Sequence, residues 1–127
     1  MENNKKRKVL MVEDDLFLRK VYRDKFEQEG FIFIEATNGT EGINKVLSEK
    51  PDLILLDLVL PKKNGFDVLE QIKNSPETKE IPVIILTNLG QEADIQNGMD
   101  LGASDYLVKT DINLSEVVER VKKFLPT

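Results

Sequence analysis

A three-layer α/β fold, with a five-stranded parallel sheet between two layers of helices, is what this sequence predicts. Three observations lead there. Short all-apolar runs alternate with amphipathic stretches along the whole 127 residues. The runs are too uniformly apolar for a sheet with one wet face, so both faces must be covered, as in parallel sheets. Cap and turn residues mark each changeover.

Val9-Leu10-Met11-Val12 reads as a short buried strand. From Asp15 to Glu29, Leu18, Val21, Tyr22 and Phe26 recur at helical spacing, and Gly30 ends the helix. Phe31 to Ala36 is a second strand, rich in aromatic and β-branched residues. Asn38-Gly39-Thr40-Glu41 opens a helix expected to carry Ile43, Val46 and Leu47 inward, and Pro51 closes it off.

Leu53 to Leu56 is the third strand. After a loop with Pro61 and Gly65, Phe66, Leu69 and Ile72 mark the third helix. The Asn74-Ser75-Pro76 turn leads to the strand Val83-Ile84-Ile85-Leu86. A weaker, polar helix follows from about Gln91 to Met99, and Gly102-Ala103-Ser104 leads into a last strand ending at Val108. Leu114, Val117, Val118 and Val121 make the final amphipathic helix. Right-handed crossovers and five such units give a flavodoxin-like (βα)5 sandwich with strand order 2-1-3-4-5. The expected organisation is an N-terminal basic tail, residues 1–7, and one domain over 8–127.

Composition narrows the chemistry. With no cysteine there is no disulfide, thiolate nucleophile or thiolate metal site, and with no histidine the usual near-neutral base is missing. The net charge of -5 argues against general nucleic-acid binding. The cluster Lys5-Lys6-Arg7-Lys8 reads as a solvated tail. No signal peptide or membrane-length apolar run is visible, so a cytoplasmic protein is expected.

The predicted topology gathers polar residues at one edge of the sheet. The first strand ends in Glu13-Asp14-Asp15, the third in Asp57, the fourth in Thr87-Asn88 and the fifth in Lys109. Asp57 closes an apolar run, where an uncompensated charge costs several kcal/mol, on the order of 1–3 or more. Crowded carboxylates repel unless a cation sits among them, and an all-oxygen donor set favours Mg²⁺ or Mn²⁺. Asp15 reads as the cap of the first helix, whereas Glu13 and Asp14 read as metal ligands. Taken singly, Thr87 is also an ordinary strand-end hydroxyl and Lys109 a surface lysine; their joint placement singles them out.

With these motifs the sequence resembles the receiver domains of bacterial two-component response regulators, among them the single-domain, chemotaxis-regulator-like kind. The resemblance rests on Val12-Glu13-Asp14-Asp15, Asp57-Leu58-Val59-Leu60-Pro61 with Asn64-Gly65, Leu86-Thr87, and Gly102-Ala103-Ser104-Asp105-Tyr106-Leu107-Val108-Lys109. It implies that Asp57 is a phosphoacceptor and that Asp14 binds Mg²⁺ directly. Glu13 would contact the ion directly or through water, with Asp57 and the Val59 backbone carbonyl completing the protein ligands. Lys109 and Thr87 would contact the phosphoryl oxygens, and Tyr106 would change rotamer with Thr87.

The same resemblance implies a sensor histidine kinase or histidine phosphotransfer protein as donor. A target protein would dock on the face of the fourth helix, fifth strand and fifth helix. It implies no direct nucleic-acid or membrane contact, and a monomer or a phosphorylation-dependent dimer. No output domain follows Leu125, which fits either a stand-alone receiver or a domain of a longer regulator. The expected role is signalling rather than enzymatic turnover.

Four positions depart from the family pattern. Thr110 stands where the family has a cis proline; a non-proline cis bond costs about 2.5–4 kcal/mol, so the Lys109-Thr110 bond is either trans or strained. Asn88 replaces a small residue, and its amide would either narrow access to Asp57 or contact the phosphoryl group. Val59 and Leu89 cannot orient a water, which predicts slow self-dephosphorylation. The alternative readings are a Mg²⁺-dependent small-molecule phosphatase or phosphotransferase using Asp57, or a receiver-like scaffold that is never phosphorylated. The phosphatase reading lacks a general acid, because Val59 stands where such enzymes carry a second aspartate. A flavin or nucleotide carrier would need a glycine- or hydroxyl-rich phosphate loop after the first strand, and none is present.

Overall fold

Residues 6–125 are described by the structure, a computed structural model. Residues 1–5, including Lys5 of the basic tail, and residues 126–127 lie outside the described part. Five strands, β1 (Lys8–Val12), β2 (Ile32–Ala36), β3 (Leu53–Leu56), β4 (Val83–Thr87) and β5 (Asp105–Val108), alternate with five helices. These are α1 (Leu16–Gln28), α2 (Gly39–Glu49), α3 (Gly65–Asn74), α4 (Glu92–Asp100) and α5 (Leu114–Lys123). The sheet runs β2-β1-β3-β4-β5 with every pairing parallel, the order expected of a flavodoxin-like fold.

Alternation along each strand divides the core in two. Val9, Met11, Leu53, Leu55, Ile84 and Leu86 face Tyr22 and Phe26 of α1 and Val117, Val118 and Val121 of α5. Leu10, Val12, Ile54, Leu56 and Ile85 face Val46 of α2 and Val68, Leu69 and Ile72 of α3. Every residue of β3 and β4 is buried, which is why those runs are apolar up to Thr87, the last residue of β4.

Local chemistry sets the helix starts. Asp15 accepts the Leu18 N–H, Asn38 that of Glu41, Asn64 that of Asp67, and Asn113 forms a reciprocal capping box with Glu116. The cap expected of Asp15 is therefore present. Gln91 at the start of α4 makes no side-chain cap bond, and only Gly98 of that helix is buried.

Some expectations need correction. Leu47 is not an inward residue: it is 46 % exposed. The helical period places it near the buried stripe, but it lies close to the end of α2, where Lys50 turns left-handed at φ 50 before Pro51. Val68 joins the core instead on α3. A single 3-10 turn over Lys109–Asp111, unforeseen from the pattern, links β5 to the last loop. Among the described residues no peptide bond is cis, so the Lys109-Thr110 bond is trans. No helix among them is long and apolar enough to cross a membrane.

Candidate functional site

Four parallel strands end at one edge, and the residues just beyond or at those ends form a cleft. Glu13 follows β1, and its backbone N–H extends the β1–β2 ladder by donating to the Ala36 carbonyl at 2.9 Å. Asp57 follows β3, and its N–H donates to the Val12 carbonyl at 3.1 Å. The start of α3 lies directly on this peptide. A Cβ on Gly65 would stand 2.4 Å from the Asp57 carbonyl oxygen, so no other residue fits there without moving the loop. The cleft is lined by Glu13, Asp14, Asp15, Asp57, Val59, Asn88 and Lys109.

Lys109 reaches into it from the end of β5. Its Nζ donates to Glu13 Oε1 at 2.6 Å and to Asp57 Oδ2 at 3.0 Å. The remaining oxygen of each carboxylate has a backbone partner: Asp15 N–H donates to Glu13 Oε2 at 3.0 Å, and Val59 N–H donates to Asp57 Oδ1 at 3.2 Å. Glu13 and Asp57 are buried, while Asp14 is exposed at the mouth.

The electrostatics follow from that burial. Desolvation pushes the Glu13 carboxyl above its ordinary range, against the opposing hydrogen bonds from Lys109 and Asp15. Burial pulls the Lys109 ammonium down, but the bond to Glu13 and the charge of Asp57 outweigh it, and the net shift is upward. Carboxylate oxygens of Glu13, Asp14 and Asp57 come within 4.8 Å of one another. A carboxylate has about four lone-pair sites, so each buried acid keeps room for another partner. Three carboxylates, two of them bonded to one ammonium, offer hard oxygen donors and form a set suited to Mg²⁺ or Mn²⁺.

Not every residue expected here lines the cleft. Thr87 is fully buried as the last residue of β4, and its hydroxyl accepts the Leu89 N–H at 3.4 Å. Tyr106 is half-buried against α4, and its hydroxyl donates to the Leu89 carbonyl at 2.5 Å. Burial pushes that phenol up to about 12. Leu89 thus holds both side chains through its own N–H and C=O. Asn88 is exposed in the cleft wall, and Val59 is 58 % exposed.

Sequence reasoning passed over Arg19. Its guanidinium is buried, donating from one Nη to the Glu13 carbonyl at 2.9 Å and from Nε to Glu35 Oε1 at 2.9 Å. A signal was there: Arg19 shares the helical stripe of Tyr22 and Phe26, and a charge on an apolar stripe needs a partner.

The family model described as the response regulator receiver domain matches residues 9–122. The transcriptional regulatory protein ResD of Bacillus subtilis is 41% identical over 125 residues, 98% of this chain and 50% of ResD. The BeF3-activated N-terminal receiver domain of Klebsiella pneumoniae RstA superposes with a TM-score of 0.88 at 26% identity, covering 95% of this chain and 100% of that one. The Mn(2+)-bound form of the response regulator Rcp1 gives a TM-score of 0.80 at 29% identity, covering 95% and 99%. The chain spans about half the length of the curated relatives it matches.

Proposed function

This chain belongs to the response regulator receiver domain family, and we propose on that premise that it is a phosphoacceptor switch charged at Asp57. The observation that carries the proposal is the Lys109 ammonium bridging Glu13 and Asp57 beside the open carboxylate of Asp14. In the proposed reaction an Asp57 carboxylate oxygen attacks phosphorus in line. The bond to the donor's leaving group breaks, and the leaving group departs with its electron pair. No proton need be removed from the nucleophile, so the lack of histidine is no obstacle.

Asp14 would hold Mg²⁺ directly and Glu13 directly or through water, with Asp57 and the Val59 carbonyl as further ligands. A bound ion would supply charge neutralisation at the phosphoryl oxygens. Lys109 shifts from the Asp57 carboxylate to the phosphoryl group without leaving the cleft. Asn88 borders the donor's approach. The Thr87 hydroxyl turns from the Leu89 N–H to the new dianion, and Tyr106, tied to the same Leu89, responds with it. The BeF3-activated RstA receiver domain and the Mn(2+)-bound Rcp1 support both parts of the reading.

The donor is proposed to be a histidine kinase or histidine phosphotransfer protein, and the readout a target on the face of α4, β5 and α5. A small-molecule phosphatase is the weaker reading, because Val59 offers no general acid. Beryllofluoride with Mg²⁺ tests the site. A bound fluorine signal in the wild type, absent in Asp57→Asn, is expected; no bound signal in the wild type would leave the scaffold reading in its place.

A further inference from the structure

We infer that Arg19 is a positioning residue for the cation site, acting on the main chain of Glu13; the inference rests on the reading of that site given above. Arg19 is 8 % exposed and lies on the first turns of α1. Its Nη1 donates to the Glu13 carbonyl at 2.9 Å, a buried contact. Its Nε is fixed by Glu35 Oε1 at 2.9 Å, so the guanidinium plane has one orientation. Glu35 sits on β2 opposite Met11, and Arg23 holds its second oxygen through Nε at 2.7 Å and through Nη2.

The consequence falls on Glu13. Its N–H is held by Ala36 and its C=O by Arg19, so both sides of the residue are pinned where β1 leaves the sheet. The directions of the Glu13 and Asp14 side chains are set by that backbone. Both Glu13 oxygens already have partners, Lys109 and the Asp15 N–H, and a swing of the peptide would disturb both contacts. Arg19 therefore keeps two carboxylates aimed at one point although it touches neither.

Charge alone predicts the opposite effect. A guanidinium so close to the cleft repels a dication, so its removal would tighten binding if electrostatics were its whole influence. Positioning predicts weaker binding. Arg23 is the matched control, since it donates to the same Glu35 carboxylate while the bond to the Glu13 carbonyl comes from Arg19.

The test is Mg²⁺ binding to the full chain by titration calorimetry, with circular dichroism confirming the fold. Arg19→Met is expected to weaken binding about tenfold, the lower end for residues that orient a metal's ligands. Arg19→Lys should recover part of the loss, and Arg23→Met should bind as the wild type does. In a Glu13→Gln background, Arg19→Met should cost less than it does in the wild type, leaving only the part that acts through Asp14. Unchanged or tighter binding by Arg19→Met, an equal loss in Arg23→Met, or additive losses with Glu13→Gln would each overturn the inference. If Arg19→Met does not fold, Glu35→Gln loosens the guanidinium in place; a several-fold loss supports the role and wild-type binding refutes it. Absence of Mg²⁺ binding by the wild type overturns the reading of the site itself, and this inference with it.

Discussion

Lys109 Nζ lies 3.0 Å from Asp57 Oδ2, although Lys109 follows β5 and Asp57 follows β3, with β4 between them in the sheet. The contact spans the cleft rather than joining neighbouring strands. It places a cation beside the proposed nucleophile before any phosphoryl group arrives. It also balances part of a charge cluster that the fold would otherwise leave strained.

Replacing Lys109 by Met should therefore expose that repulsion. Glu13 and Asp57 would be left buried without their ammonium, at a cost of about 3 kcal/mol in metal-free buffer. Adding Mg²⁺ should return part of the loss. Urea unfolding with and without Mg²⁺ measures both effects, and a variant as stable as the wild type in metal-free buffer would contradict the account.

The phosphoryl group should leave slowly. Val59 and Leu89 have no polar side-chain atom with which to orient a water, so the isolated protein with Mg²⁺ should keep its adduct for many minutes. Val59→Asn supplies an amide at an exposed position beside Asp57 and should shorten the lifetime several-fold. Phosphoryl decay followed by intact mass decides the matter, and loss within seconds in the wild type would contradict it.

Gly98 provides the space that Tyr106 occupies. An alanine Cβ there would stand 2.6 Å from Ile85 Cδ1 and 3.1 Å from Tyr106 Cδ2. Alanine is ordinarily about 1 kcal/mol better than glycine inside a helix. In α4 the overpacking should reverse that sign, with a net loss of roughly 1 kcal/mol. The Tyr106 ring should turn outward and release Leu89, visible in the ring's NMR contacts. A more stable variant with the ring unmoved would rule this out.

Glu41 carries a pH signature. Its carboxylate accepts the Thr37 N–H at 2.6 Å and the Thr37 hydroxyl at 2.8 Å, and the backbone bond first of all holds its pKa below 4.5. A depressed folded pKa adds stability above the unfolded value and loses it as pH falls through the folded one. Wild type should thus exceed Glu41→Gln by a few tenths to about 1 kcal/mol near neutrality, because the group is largely solvated. The gap should close as the pH drops below about 4.5. A gap that persists at low pH would show that the bond does not depend on the charge.

The fold was legible because the strands are buried on both faces and the sequence has no polar break within β3 or β4. The rim was legible for a related reason: Glu13 and Asp57 come directly after buried strands, where an acid stands out. Arg19 was missed because its partner, the Glu13 carbonyl, carries no side-chain signature and is reached only by the path of α1. Leu47 misled for the converse reason, since periodicity cannot tell where along a helix its neighbours stop. The shared role of Leu89 was also hidden, because both contacts use its backbone.

The measurement nearest the central claim is incubation with acetyl phosphate and Mg²⁺, followed by intact mass and peptide mapping, alongside Asp57→Asn. The account predicts a single phosphoryl adduct on the peptide containing Asp57, dependent on Mg²⁺ and absent from the variant. An unmodified wild type, or an equal adduct on Asp57→Asn, would contradict it.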